Sequence, residues 1–402
     1  MAAVGGLRGS GDWATDERPK NFREYILWRQ PNGQAPLTAL LGRMKSESVD
    51  DPEFAWWEEE LNAMRFTLAA TAQATTDTSL TLLTTGTFTA SDLVAGDVLL
   101  IEAALTTSYA HEIVVVSSVT SSAVVVVARA ASGTTAAPIP VSANLTKIGN
   151  VFEEGSASPN AVTRQPSKLY NYAQIFKTAY RITGTALKQK IRTGDPLKND
   201  KKRKMFDHSV ALEMAFFFGK RYETTGPQGK PLHFTGGVLN MMATYNSGSI
   251  KAYTTTPTES NLLDDVYGIW DYNTEAGTDR IAFCGNGALN SLNKLAKGSS
   301  STRINFEGFV NVFGMRLQHW IFPQGDLYLK THPLFNTHAR FTNDIFVMDP
   351  GAYVYRYIRD TKPQDNIQAN DADEQKGQWF TEAGLEARHL KTSKWLSNFV
   401  VP

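Results

Sequence analysis

The chain has 402 residues, 42% hydrophobic and 11% aromatic, enough to bury more than one core, so two or three domains are expected. Lys+Arg and Asp+Glu number 40 each, and this zero net charge excludes a protein whose main task is to coat nucleic acid, which would carry a large basic excess. The single cysteine, Cys284, excludes an intramolecular disulfide framework, and no apolar run approaches the ~20 residues of a membrane helix.

Residues 1–16 are rich in Gly and Ala but lack the basic start and continuous apolar stretch of a signal peptide. Residues 1 to about 35 read as a polar, Gly- and Pro-punctuated arm with too few apolar groups for a core. Its cluster from Tyr25 to Trp28 marks a contact site, on a neighbour or on the chain's own body. Residues 51–65 read as helical or extended, with Trp56 and Trp57 set among acids.

The composition then changes. Residues 70–145 contain six Asp, Glu, Lys or Arg and two aromatics against fourteen threonines, which predicts β-sheet. Strands are expected at 79–83, 97–102, 112–119 and 123–129, forming a small sandwich or barrel. The normal mixture of charges and aromatics returns after Gly155, so this β module reads as an insertion in a host domain.

The basic run Lys201, Lys202, Arg203 and Lys204 opens the clearest helix, about 200–221, capped by Asn199 or Asp200 and stopped by Gly226-Pro227. Phe206, Val210, Met214, Phe217 and Phe218 define its expected apolar face, and Lys204, Asp207, His208, Glu213 and Lys220 its polar face. Four cations at the positive end of a helix invite an anionic partner, either carboxylates of another subunit or DNA phosphates. Beyond residue 261 the pattern is mixed: helices at 262–270 and 287–295, and strands at 280–284, 316–322, 326–330 and 344–348. Residues 379–401 alternate as an extended strand, with Leu385 and Ala387 on one face and Glu386 and Arg388 on the other, and are expected to close the host sheet.

No motif carries chemistry. Gly285-Asn286-Gly287-Ala288-Leu289-Asn290 sits where a dinucleotide loop would, but Asn290 replaces the third glycine and no repeated strand–helix units follow, so it reads as a plain turn. The seven histidines show no zinc spacing, and Cys284 ends an apolar run as a buried residue would. No catalytic, cofactor or metal site is expected.

Glu153-Glu154-Gly155 after a Thr- and Val-rich insertion, Asn171 to Phe176 as Asn-x-x-Gln-Ile-Phe, Thr381-Glu382, and Leu385-Glu386-Ala387-Arg388 together resemble a phage major capsid family of the Hong Kong 97 fold. The resemblance implies an α+β fold of four parts plus an inserted all-β domain. These are an N-terminal arm (1–50), an extended β-hairpin arm (51–70 with 150–180), a peripheral domain (181–259 and 346–402) with its spine helix at 200–221, and an axial domain (260–345). The inserted β-sandwich or barrel occupies 71–149. It further implies self-assembly as hexamers and pentamers into an icosahedral virion shell around double-stranded DNA, in the host cytoplasm. Scaffolding and portal proteins are the implied partners, a decoration protein is a further one, contact with DNA is weak, and there is no membrane. A separate scaffold and no maturation cleavage are expected, since no long charged helical segment precedes Pro36. Tyr25, Trp28, Trp56, Trp57, Glu153, Glu154, Lys201, Lys202, Arg203 and Lys204 are the candidate inter-subunit contacts. Two other readings fit parts of the chain: a phage tail or surface adhesin that uses the β module to bind a receptor, and an encapsulin-like shell protein.

Overall fold

The computed structural model describes residue 40 and residues 44–61, 64–69, 71–85, 87–102, 112–189, 191, 194–272, 274, 277–298, 306–312 and 315–401. Contacts divide them into two compact units: Trp57–Leu169 forms one, and the residues up to Trp56 join those from Tyr170 onward to form the other. In chain order, β1 (Lys45–Ser48) and β2 (Glu53–Glu58) lead into the first of these.

The 57–169 unit contains β3 (Arg65–Thr67), β4 (Ser79–Thr81), β5 (Asp97–Glu102), β6 (Glu112–Val119), β7 (Val124–Ala131) and β8 (Asn144–Asn150) in the order β3-β8-β5-β6-β7-β4. Strict alternation puts Leu99, Ile101, Val114, Val116, Val125, Val127 and Leu145 inside. The two edge strands meet, because Ala69 N–H donates to Thr81 O and Leu83 N–H to Thr67 O, both at 2.8 Å. The module is therefore a closed six-stranded barrel, and closure leaves this weakly charged sheet no free edge to template aggregation.

β9 (Ser167–Tyr172), paired with β2, runs across the boundary at residue 170, and the other unit continues with β10 (Gln174–Thr183), α1 (Gly184–Lys188) and α2 (Pro196–Phe218). The helix starts four residues earlier than the basic run suggested. Asp195 caps it, its Oδ1 accepting from Leu197 N–H at 2.9 Å, and Pro196 takes the first position, where a missing N–H costs nothing. It stops at Phe218 rather than 221, because Gly219 leaves the helical region with ψ 148°, and glycine is needed there since a Cβ would lie 2.4 Å from Ala215 O and 2.6 Å from Thr235 O.

The chain goes on through β11 (Tyr222–Thr225), β12 (Pro231–Phe234), α3 (Val238–Tyr245), β13 (Ile250–Ala252) and α4 (Glu259–Val266). Next come β14 (Asp279–Cys284), α5 (Asn286–Gly298), β15 (Phe306–Val312), β16 (Met315–Phe322) and β17 (Gly325–Thr331). The last strands are β18 (Ile345–Met348), β19 (Tyr353–Gln364), β20 (Glu374–Ala387) and β21 (Lys394–Ser397).

Two sheets organise this α+β unit: β1-β19-β20-β10, against which α2 lies, and β13-β21-β18-β14-β17-β16-β15. α4 and α5 cover the second through Leu262, Val266, Ala288 and Leu292. The end of the chain does not close a sheet as one strand. β20 is interior to the first sheet and β21 to the second, with the turn at His389, whose φ is +48°, between them. The alternation of 385–388 is present, but its charged face is covered: Glu386 is buried, and Arg356 of β19 and Arg388 both donate to it.

Candidate assembly surfaces

The face of α2 that turns inward is only partly the one that hydrophobic spacing selected: of its five residues, Phe217 is buried. Leu212, Phe216 and Phe217 are buried together with the polar His208 and Glu213, whereas Phe206 is 39% exposed. His208 is tolerated inside because both ring nitrogens meet hydroxyls, Nδ1 at 3.0 Å from Thr178 Oγ1 of β10 and Nε2 at 2.7 Å from Thr381 Oγ1 of β20. Glu213 is reached by the Nε2 of His332 at 3.2 Å. These ties fix the helix against the strands at chosen points along its length.

Burial depresses the pKa of His208 below its ordinary value of 6.5. Between the depressed value and 6.5 the unfolded chain binds more protons than the folded one, so stability is complete above that window and falls as pH drops through it. Urea midpoints measured from pH 8 to 5 are expected to decline below about 6.5, and the decline is expected to be smaller in His208→Gln.

The basic run is largely engaged within the chain. Lys201 Nζ lies 2.7 Å from Asp365 Oδ2, and its carbonyl accepts from Trp379 Nε1 at 3.1 Å. The hydrogen bonds from Lys201 and then Tyr180 hold the Asp365 carboxyl below its usual range, while burial and then the bond to Asp365 push the Tyr180 hydroxyl up to about 12. Arg203 pairs with Asp200 at 3.8 Å and Lys204 with Asp207 at 3.1 Å, each one turn away on the helix; Lys202 and Arg203 are exposed. Local carboxylates thus neutralise much of the charge that had suggested an external anion.

The other candidates separate. Tyr25 and Trp28 lie outside the described residues. Trp56 is covered within the chain: it is 7% exposed and stacks on Phe54 at 6.4 Å, because alternate residues of β2 face inward. Its neighbour Trp57 points the other way and is 65% exposed. Glu153 and Glu154 are exposed in a turn closed by Ser156 N–H donating to Glu153 O at 3.2 Å.

One surface carried no motif. In the β11–β12 hairpin, Tyr222 pairs with Phe234 and Thr224 with Leu232, which places all four on one face. Tyr222, Leu232 and Phe234 are exposed, while His233 on the opposite face stacks on Tyr172 at 5.2 Å. An isolated two-stranded ribbon with an apolar outer face is marginal in water and gains from being covered.

Among the described residues no group of three or more His, Cys, Asp or Glu could hold a metal. No described helix is long and apolar enough to cross a membrane. Cys284 is fully buried, and burial pushes its thiol pKa up, away from reactivity. The glycines after it serve packing: a Cβ on Gly285 would lie 2.3 Å from Thr342 O, and one on Gly287 2.1 Å from Asn343 Oδ1.

Comparison with known proteins agrees with a structural role. Solved structures similar to the chain include the capsid of a native GTA particle, 9% identical with 96% of each chain covered and a TM-score of 0.48. Another is the capsid of Myoviridae phage XM1, 11% identical over 98% of this chain and 99% of that one, with a TM-score of 0.43. The major capsid protein of Pseudomonas phage PaMx41 is 29% identical over 351 residues, which is 84% of this chain and 78% of that protein. Residues 10–399 match the model of the SU10 major capsid protein, and with nearly the whole chain matched, the chain belongs to that family.

Proposed function

We propose that the chain forms, by self-assembly as hexamers and pentamers, the icosahedral shell around the double-stranded DNA of a tailed phage, and that it performs no catalysis. The observation that carries this reading is the family match over residues 10–399. One feature supports it: apolar groups left at the surface, Trp57 on β2 and Tyr222, Leu232 and Phe234 on the hairpin. In this reading those apolar groups, with the exposed Glu153, Glu154, Lys202 and Arg203, meet sister copies.

The barrel between residues 65 and 150 is an insertion carried on the extended hairpin arm, and the two sheets of the α+β unit belong to the peripheral and axial domains. Its closed edges favour a stable module displayed on the arm over a strand donated to a neighbour. Scaffolding and portal proteins guide assembly in the host cytoplasm, a decoration protein is a further candidate partner, and DNA is touched weakly.

Electron microscopy of particles formed by the expressed chain with its neighbouring genes is expected to show closed shells. Short rods or discrete trimers would instead support an adhesin, and a compact monomer that never polymerises at high concentration would overturn the proposal.

A further inference from the structure

Leu40 is tied to α2. It is fully buried, and its backbone N–H donates to Glu213 Oε1 at 2.8 Å. The same oxygen lies 3.2 Å from His332 Nε2, and both side chains are completely buried. The tautomer of His332 follows from its other nitrogen: Nδ1 accepts from Leu334 N–H at 3.3 Å, so in the neutral ring Nε2 carries the proton and donates it toward Glu213. The imidazole is itself held among Phe217, Phe283 and Phe335, with ring centroids 5.1, 5.4 and 5.5 Å away. A carboxylate in such apolar surroundings requires donors, and an N–H left unpaired there is costly.

We propose that Glu213 acts as a latch on Leu40: its carboxylate, oriented by His332, holds the Leu40 backbone against α2 and is what keeps that amide from exchange with solvent. Because the group it grips is a main-chain N–H, the hold depends on Glu213 more than on the identity of the side chain at residue 40. The latch is separate from β1, which is secured by its own parallel pairing of Lys45–Ser48 with β19. His332 acts through Glu213 and is a positioning residue. The inference concerns a single chain and does not rest on the shell reading.

Hydrogen–deuterium exchange of the unassembled full-length chain tests it, read on peptides bracketing residue 40, on β1 and on α2. Glu213→Ala is expected to raise exchange at Leu40 by about ten- to a hundredfold, with β1 and α2 unchanged. Glu213→Gln, which keeps an acceptor oxygen, is expected to restore protection, and His332→Gln to give a smaller rise than Glu213→Ala. Should Glu213→Ala fail to fold, Glu213→Met keeps the chain length without the oxygen and is read in the same way. An unprotected Leu40 amide in the unsubstituted chain would overturn the latch, as would protection that survives loss of the oxygen while α2 stays protected, or a Gln variant as open as Ala.

Discussion

Replacing Phe217 with alanine is expected to lower the stability of the α+β unit by about 4 kcal/mol. The ring is fully buried and meets Phe335 at 5.2 Å, Phe346 of β18 at 5.9 Å and Phe283 of β14 at 6.2 Å, all steeply tilted in edge-to-face geometry. Edge-to-face pairs add about 0.5–1.5 kcal/mol beyond the area they bury. The preceding residue, Phe216, points to Tyr355 of β19 at 6.0 Å. Two consecutive side chains of α2 therefore reach the two sheets of the unit, Phe217 the seven-stranded and Phe216 the four-stranded one. Loss of the Phe217 ring opens a cavity that neither sheet can fill alone. Denaturant unfolding of the unassembled chain, followed by tryptophan fluorescence, measures the loss. Phe206→Ala on the same helix, with its side chain 39% exposed, is the control and should change stability by less than about 1 kcal/mol.

That control also marks where sequence reasoning about α2 ran out. Spacing identified the helix and placed Phe217 inside, but it also chose Phe206, Val210, Met214 and Phe218, whereas the structure buries His208, Leu212, Glu213 and Phe216 beside Phe217. Periodicity counts an apolar residue as inward and a charged one as outward. It fails when distant partners satisfy buried polar groups, here Thr178, Thr381, His332 and the Leu40 backbone, which lie 30 to 173 residues away in sequence. The covered carboxylate of Glu386 is the same case. The barrel was legible for the opposite reason. Its strands are rich in small and β-branched residues and hold few charges, so local composition carries the signal even though Glu112 and Arg129 pair inside, and 97–102 and 112–119 have the expected bounds. The apolar hairpin face was missed because Tyr222 and Phe234 are twelve residues apart and only strand pairing brings them together. Of the proposed contacts, Trp56 is covered within the chain and Trp57 exposed, because one residue of register decides which of the two faces the core.

The barrel's dependence on one ion pair leads to the second large effect: Arg129→Ala is expected to destabilise the 57–169 unit by about 3–5 kcal/mol. Arg129 and Glu112 are 6% and 3% exposed, and the guanidinium grips the carboxylate through Nε at 2.6 Å and Nη2 at 2.7 Å. The pair does more than neutralise itself. Arg129 also donates to the carbonyls of Ala74, Asp77 and Ala137, while Glu112 accepts from the N–H groups of Ala130 and Ala137. Burial pushes the Glu112 carboxyl up, but the bonds from Arg129, Ala137 and Ala130 together outweigh it, so its pKa lies below the ordinary 4.5. Its contribution is therefore complete above the unfolded value and lost as pH falls through the depressed folded one. An ordinary buried pair can often be replaced by two apolar residues at little cost. Here the double variant Glu112→Leu, Arg129→Met is expected to remain destabilised, because five backbone groups lose their partners as well. Hydrogen exchange resolves the two units: protection should fall in β6 and β7 while β20 keeps its own. A double variant as stable as the unsubstituted barrel would show that the backbone bonds contribute nothing.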